Sequence, residues 1–145
     1  KQDLGKDYVV MPLEGLWWAD DMATFTTARD KSKWDFTLII MTPDWVTQDM
    51  FRQAVAKVAE KADTPVSLGK VRLETLDEGL CVQTLHVGSF DDEAEILDEI
   101  HDDFIPNNGY KMTGKHHEIY FSDFRKVSSD KLRTILRQPI KEVVV

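Results

Sequence analysis

The chain is short of cysteine, of basic residues and of uninterrupted apolar stretches, and each shortage removes a class of protein. A single cysteine in 145 residues, Cys81, cannot close an internal disulfide. With no secretory leader pattern at the start, the expected compartment is the cytoplasm. Lys and Arg number 18 against 26 Asp and Glu, a formal charge of −8. A phosphate-neutralising surface shows a basic excess, so no nucleic-acid partner is expected. No apolar run approaches the roughly 20 residues that cross a bilayer, which excludes a membrane partner of the spanning kind. Gly-rich phosphate loops and a GxSxG elbow are both missing, so nucleotide and serine-hydrolase chemistry fall away. What remains is 42% apolar and 30% charged, the balance of one folded domain with a core and a solvated surface.

Strands and helices alternate along this domain. Residues 7–13 read as a strand that Pro12 pushes toward an edge, and residues 19–33 as a polar loop or flap. From Trp34 the run WDFTLIIM alternates, with Trp34, Phe36, Leu38 and Ile40 on one face. Thr47 is the expected N-cap of a helix over 47–62, carried by Phe51, Val55 and Val58 and closed by Asp63, Thr64 and Pro65. Residues 68–76 and 80–87 read as two strands joined by a turn at Asp77, Glu78 and Gly79. Asp91 and Asp92 suit the start of a helix over 91–105, with Ile96, Leu97, Ile100 and Phe104 as its buried stripe. Strands at 116–122 and 138–144 complete the chain, with 131–137 a short helix or loop. The order strand, helix, strand, strand occurs twice, in topology rather than in letters. The fold class is α+β: helices on one face of a mainly antiparallel sheet, with a ligand cleft on the other.

The segment His116-His117-Glu118-Ile119-Tyr120-Phe121 carries the most chemistry. Strand alternation gives Ile119 and Phe121 one face, and His116, Glu118 and Tyr120 the other. The apolar pair is expected against the helices, which leaves a carboxylate beside a phenol on the opposite face. An ordinary solvated face is the competing reading. Trp17, Trp18, Trp34 and Trp45, with Tyr8, Tyr110 and Tyr120, exceed what a core of this size requires. Rings around a carboxylate make a site for a flat hydrophobic or cationic molecule, and burial among them would raise the carboxyl pKa toward general acid or base work. In the run 12–18 (PLEGLWW), Gly15 suggests a bend, and Glu14 is a second carboxylate candidate for the same pocket. His116 and His117 point to opposite faces and cannot share an ion, so neither a metal nor a cofactor is expected. Cys81, in an apolar strand, reads as a structural thiol.

The stretches 12–18 (PLEGLWW), 41–47 (MTPDWVT), 86–93 (HVGSFDDE) and 116–141 (HHEIYFSDFRKVSSDKLRTILRQPIK) resemble the GyrI-like small-molecule-binding domains. The nearest branch is the stand-alone type, similar to cyclopropanoid cyclohexadienone hydrolases. The resemblance runs from about residue 7 to 141 and implies a duplicated β-α-β-β fold around a central cleft. It implies one domain over residues 1–145 in which the family's first strand and helix, ahead of PLEGLWW, are missing. Phe124 stands where such proteins tend to have Pro. The resemblance further implies Glu118 and Tyr120 as catalytic residues, Glu118 orienting or deprotonating water. Ligand contacts are expected at Glu14, Trp17, Trp18, Trp45, Tyr110 and His116, and the resemblance implies that either Trp17 or Trp18 stacks on the ligand. Two activities stay open: a hydrolase of cyclopropane-bearing genotoxins, and a non-catalytic module that binds hydrophobic, often cationic compounds. A homodimer is compatible with either.

Overall fold

In the computed structural model, which describes residues 4–21 and 30–144, the chain divides into two compact units. The first comprises Lys1–Val10 and Met41–Asp77; the second comprises Met11–Ile40 and Glu78–Val145. Residues 22–29 of the expected polar loop lie outside the described residues.

The first unit is built on helix α1 (Gln48–Ala59). Thr47 is its N-cap as expected: the hydroxyl accepts from the Met50 N–H at 3.3 Å. At the other end the Thr64 hydroxyl lies within hydrogen-bonding reach of the Val58, Ala59 and Lys61 carbonyls, at and just beyond the helix C-terminus. Beyond it, 71–79 is irregular chain after a short 3₁₀ turn (Val66–Lys70), so the strand expected at 68–76 does not form.

The second unit carries the sheet. Its strands are β1 (Leu13–Trp18), β2 (Asp35–Ile40), β3 (Cys81–Val87), β4 (Tyr110–Met112), β5 (His116–Tyr120) and β6 (Arg133–Glu142). All pairings are antiparallel, in the order β2-β1-β5-β6-β3, with β4 on the far end of β6. The last strand therefore begins at Arg133, where a short helix or loop was expected. Burial alternates along its first half, and Pro139 is accommodated between its neighbours: the Pro139 carbonyl accepts from Thr113 N–H and the next amide, Ile140, donates to Leu80.

One helical run covers this sheet. Ser89 and Asp92 form a reciprocal capping box, followed by α2 (Glu93–Asp98), π-helical turns (Glu99–Phe104) and a last α-helical turn (Ile105–Asn107). The wider π turns move the buried stripe forward by one residue. Phe104, expected inside, is 43% exposed, whereas Ile105 is 2% exposed. Leu97, Ile100 and Ile105 meet Leu136 and Ile140 of β6 in the main core. At the other end of the sheet, Leu13, Phe36, Leu38 and Ile40 remain about half exposed. They share one face through the pairs Leu13↔Ile40, Gly15↔Leu38 and Trp17↔Phe36. Among the described residues no helix is long and apolar enough to cross a membrane.

The π register makes a stability test. Ile105→Ala should cost about 2–5 kcal/mol and Phe104→Ala under about 1 kcal/mol, read from urea denaturation midpoints. Equal losses would restore the uninterrupted α-helical stripe.

Candidate active site

β5 is paired on both edges, so its side chains must go above or below the sheet. Residues directly opposite one another share a face. The pairs Gly15↔Glu118 and Glu118↔Leu136 put these three residues on one face. Leu136 packs in the cluster formed with the helix, so Glu118 lies on the helix-bearing face. This corrects the expectation that Ile119 and Phe121 face the helices with the cleft opposite. Alternation of apolar letters indicated the wrong side because the most buried members of β5 are polar: His116, His117 and Glu118.

On that face Glu118 and Tyr120 form one hydrogen-bonded line with Trp17. The Tyr120 hydroxyl donates to Glu118 Oε2 at 2.7 Å, and the Trp17 indole N–H donates to the Tyr120 oxygen at 2.9 Å. His116 Nε2 lies 3.3 Å from Glu118 Oε1. Gly15 makes the line possible. A Cβ there would stand 2.6 Å from Trp17 Nε1 and 2.9 Å from the Tyr120 oxygen, so only a residue without a side chain lets these groups meet above it. The glycine thus works as a gap in a straight strand rather than as the expected bend. Rings extend the line in both directions. Phe90 stands edge-on to Tyr120, with centroids 5.9 Å apart, while Trp17 meets Trp34 at 6.3 Å and Phe36 at 5.1 Å.

The other predicted residues are dispersed. Glu14 lies opposite Ile119 on the reverse face, where its Oε2 is 2.8 Å from His117 Nε2. It therefore does not join Glu118. The second His117 nitrogen is 2.8 Å from Glu78 Oε1, and Arg137 donates to Glu78 Oε2 at 3.0 Å. Trp18, one residue after Trp17, also faces the reverse side and carries the Lys115 ammonium 3.4 Å above its ring. Of the two adjacent tryptophans, Trp17 belongs to the Glu118 line. Tyr110 packs against the core cluster from β4. Trp45 lies in the first unit, edge-on to Tyr8 at 5.5 Å with Lys6 over its ring. His116 is 0% exposed and cannot itself touch a ligand.

Burial, then the neighbouring Glu118 charge, push the Tyr120 phenol far above its ordinary range, with Glu93 adding to the effect. Tyr120 is thereby held as a proton donor. Burial, then His116, hold His101 below the ordinary histidine range. Burial and Glu78 push the Cys81 thiol up, as suits a structural thiol. Sequence reasoning missed Phe90, Glu93 and His101. Glu93 and Leu97 are both buried and one helical turn apart, a spacing that would have placed this carboxylate on the covered side. His101 follows Leu97 by the same spacing and is likewise buried, so the same signal would have placed it. Among the described residues no group of three His, Cys, Asp or Glu has metal-holding geometry.

Gly15→Ala should separate Trp17 from Tyr120, change the tryptophan emission and leave most of the folding stability in place. Emission identical to the parent's would mean that the two groups do not depend on the gap. His101 generates a pH test. Its ring stays neutral in the folded chain, whereas the unfolded chain takes up a proton below about pH 6.5. Its contribution is thus fully present above that pH and is lost as pH falls toward the depressed folded value. His101→Gln should flatten the fall in urea midpoint between about pH 8 and 5; equal slopes in both proteins would refute the assignment.

The model of the GyrI-like small molecule binding domain matches residues 2–141. No curated protein matches the chain. The structure is similar to that of an uncharacterized conserved protein from Listeria innocua, with a TM-score of 0.82 and 38% identity over 97% of this chain and 69% of the other. It is also similar to a hydrolase from Listeria innocua, with a TM-score of 0.78 and 36% identity over 97% of this chain and 68% of the other. On the match across nearly its whole length, the chain belongs to the GyrI-like small-molecule-binding domain family.

Proposed function

We propose that this domain binds planar, hydrophobic molecules over the Trp17–Tyr120–Glu118 line and adds water to a cyclopropane fused to a cyclohexadienone. The observation that carries the reading is the buried carboxylate clamped by a phenol that stays protonated, next to a row of aromatic rings. The half-exposed strip of Leu13, Phe36, Leu38 and Ile40 continues the same face and offers apolar surface to an extended substrate. The hydrolase from Listeria innocua adds weight to catalysis.

In the reaction, Glu118 takes a proton from water as the water oxygen bonds to the cyclopropane carbon. The strained carbon–carbon bond breaks, and its electron pair passes into the dienone, which becomes a phenolate. A proton returned to that oxygen completes net addition of one water. Aromatisation drives the step, so the protein's task is placement and charge stabilisation. Tyr120 turns its one hydroxyl proton to Glu118 and so keeps the carboxylate in place, and Trp17 keeps that hydroxyl oriented. The domain acts in the cytoplasm on this reading and needs no cofactor.

One observation favours a second reading. The charged groups that act on Tyr120 are both carboxylates, Glu118 and Glu93. Such a site attracts a flat cation without any need for turnover. Incubation with a cyclopropane-bearing cyclohexadienone in isotopically labelled water, followed by mass spectrometry, separates the two. Labelled, ring-opened phenol from the parent, with at least a tenfold loss in Glu118→Gln, is the expected result. Unchanged substrate that co-purifies with the protein would replace the hydrolase by a sequestering module. An equally active Glu118→Gln variant would remove Glu118 from the chemistry.

A further inference from the structure

Beneath the helical run lies a line of buried polar groups that the reaction above leaves unused. Gln138 is fully buried, and its amide nitrogen donates to the carbonyls of Thr113 at 3.0 Å and Pro139 at 3.1 Å. Backbone carbonyls only accept, so the orientation of this amide follows, with Oε1 as the acceptor toward His101 Nε2 at 3.2 Å. His101 is therefore a donor at Nε2. Its ring sits edge-on to His116, with centroids 5.6 Å apart at 61°. His116 in turn brings Nε2 to 3.3 Å from Glu118 Oε1. A ring with no exposed surface acts only through what it touches, and the functional group it touches is the Glu118 carboxylate.

We propose that His116 is the positioning residue of Glu118, with His101 and Gln138 as its support. The proposal rests on Glu118 being the working group of the site. Tyr120 donates to Oε2, and His116 Nε2 stands 3.3 Å from Oε1, within ion-pair reach, so each carboxylate oxygen has a polar neighbour that favours one orientation toward the ligand. A glutamate that loses one of these neighbours gains rotamers, and small misplacements of a reacting group lower rates disproportionately. The rigid imidazole suits this task because its own plane is fixed by the His101 ring, which Gln138 and the π turns hold in place. The tandem His116-His117 thus serves both sides of the sheet: His117 ties carboxylates together on the reverse face, and His116 aims one on the site face.

Three measurements test this. On a cyclopropane-bearing cyclohexadienone, His116→Leu should lower kcat by roughly 10–100-fold with KM changed by less than about threefold, and His116→Gln, which keeps an amide donor, should recover most of the loss. A folded His116→Leu variant with the parent's kcat, or a His116→Gln variant no better than it, overturns the proposal. If the parent turns nothing over, the hydrolase reading falls while positioning is read from ethidium, a planar aromatic cation. Its Kd should rise by roughly tenfold in His116→Leu and return in His116→Gln, whereas an unchanged Kd overturns the proposal. Nitrogen NMR of the unliganded parent decides the matter should the leucine variant fail to fold or ethidium fail to bind. His116 Nε2 should carry a proton, and its signal should move in Glu118→Gln; a bare or unresponsive Nε2 overturns the proposal.

Discussion

The second unit is organised by an unusual demand: its central strand is polar on both faces. His116, His117 and Glu118 are buried in succession, with neighbouring strands on both edges of β5. A polar group taken from water without a partner costs several kcal/mol, so each face must supply partners. On the reverse face Glu14 comes from β1, Glu78 from the approach to β3 and Arg137 from β6, all converging around His117. Removing one member of such a buried ionic set strands the others and costs about 3–5 kcal/mol. On the site face the partners are Tyr120, Trp17 and His116, and the gap at Gly15 gives them room. Both sets constrain the same strands, so the geometry of the site is set by pairing that also holds the sheet.

That coupling explains how the same residues can be structural and chemical. Strand pairing places Gly15 opposite Glu118, and Trp17 opposite His116. A one-residue slip would exchange the faces, bringing Glu14 and Trp18 to the site side and breaking the His117 ion pairs. The register is therefore protected by the reverse-face ions, and the site inherits that precision at no separate energetic cost. Burial then acts on chemistry. Tyr120 is kept protonated by the same low-polarity surroundings that strengthen its bond to Glu118.

Much of this was legible in the residues. Thr47 and the acidic pair Asp91 and Asp92 marked helix starts because capping and end charge are local; the Ser89–Asp92 capping box emerged only in the structure. The strands expected at 34–41 and 116–122 form at Asp35–Ile40 and His116–Tyr120, as alternation indicated. The assignment of faces did not follow from it, since alternation says which residues share a side and not which side is covered. Ile119 and Phe121 looked like core, yet Phe121 is exposed and the covered face holds Glu118. Phe104 and Ile105 exchanged roles because π turns leave no mark in hydrophobic spacing. The choice between Trp17 and Trp18 depended on the same undetermined side. Glu14 was separated from Glu118 by its odd spacing to Gly15, a consequence of strand period two that becomes decisive only once the pairing register is known.

The placement of the site within its sheet follows from where the helical cover stops. Leu136 and Ile140 on β6 lie beneath the helical run, whereas Leu13, Phe36, Leu38 and Ile40 on β1 and β2 stay half exposed on the same face. Glu118, on β5, stands between covered and open surface. A carboxylate farther under the helix would be closed to a ligand, and one farther onto β2 would be solvated and lose the field of its neighbours. At the boundary it keeps the Tyr120 bond on its buried side while the apolar strip begins just across Gly15. On the proposed reading, a flat molecule lying on that strip meets the Trp17 and Tyr120 groups that close over Gly15, with the carboxylate that Tyr120 holds next in line.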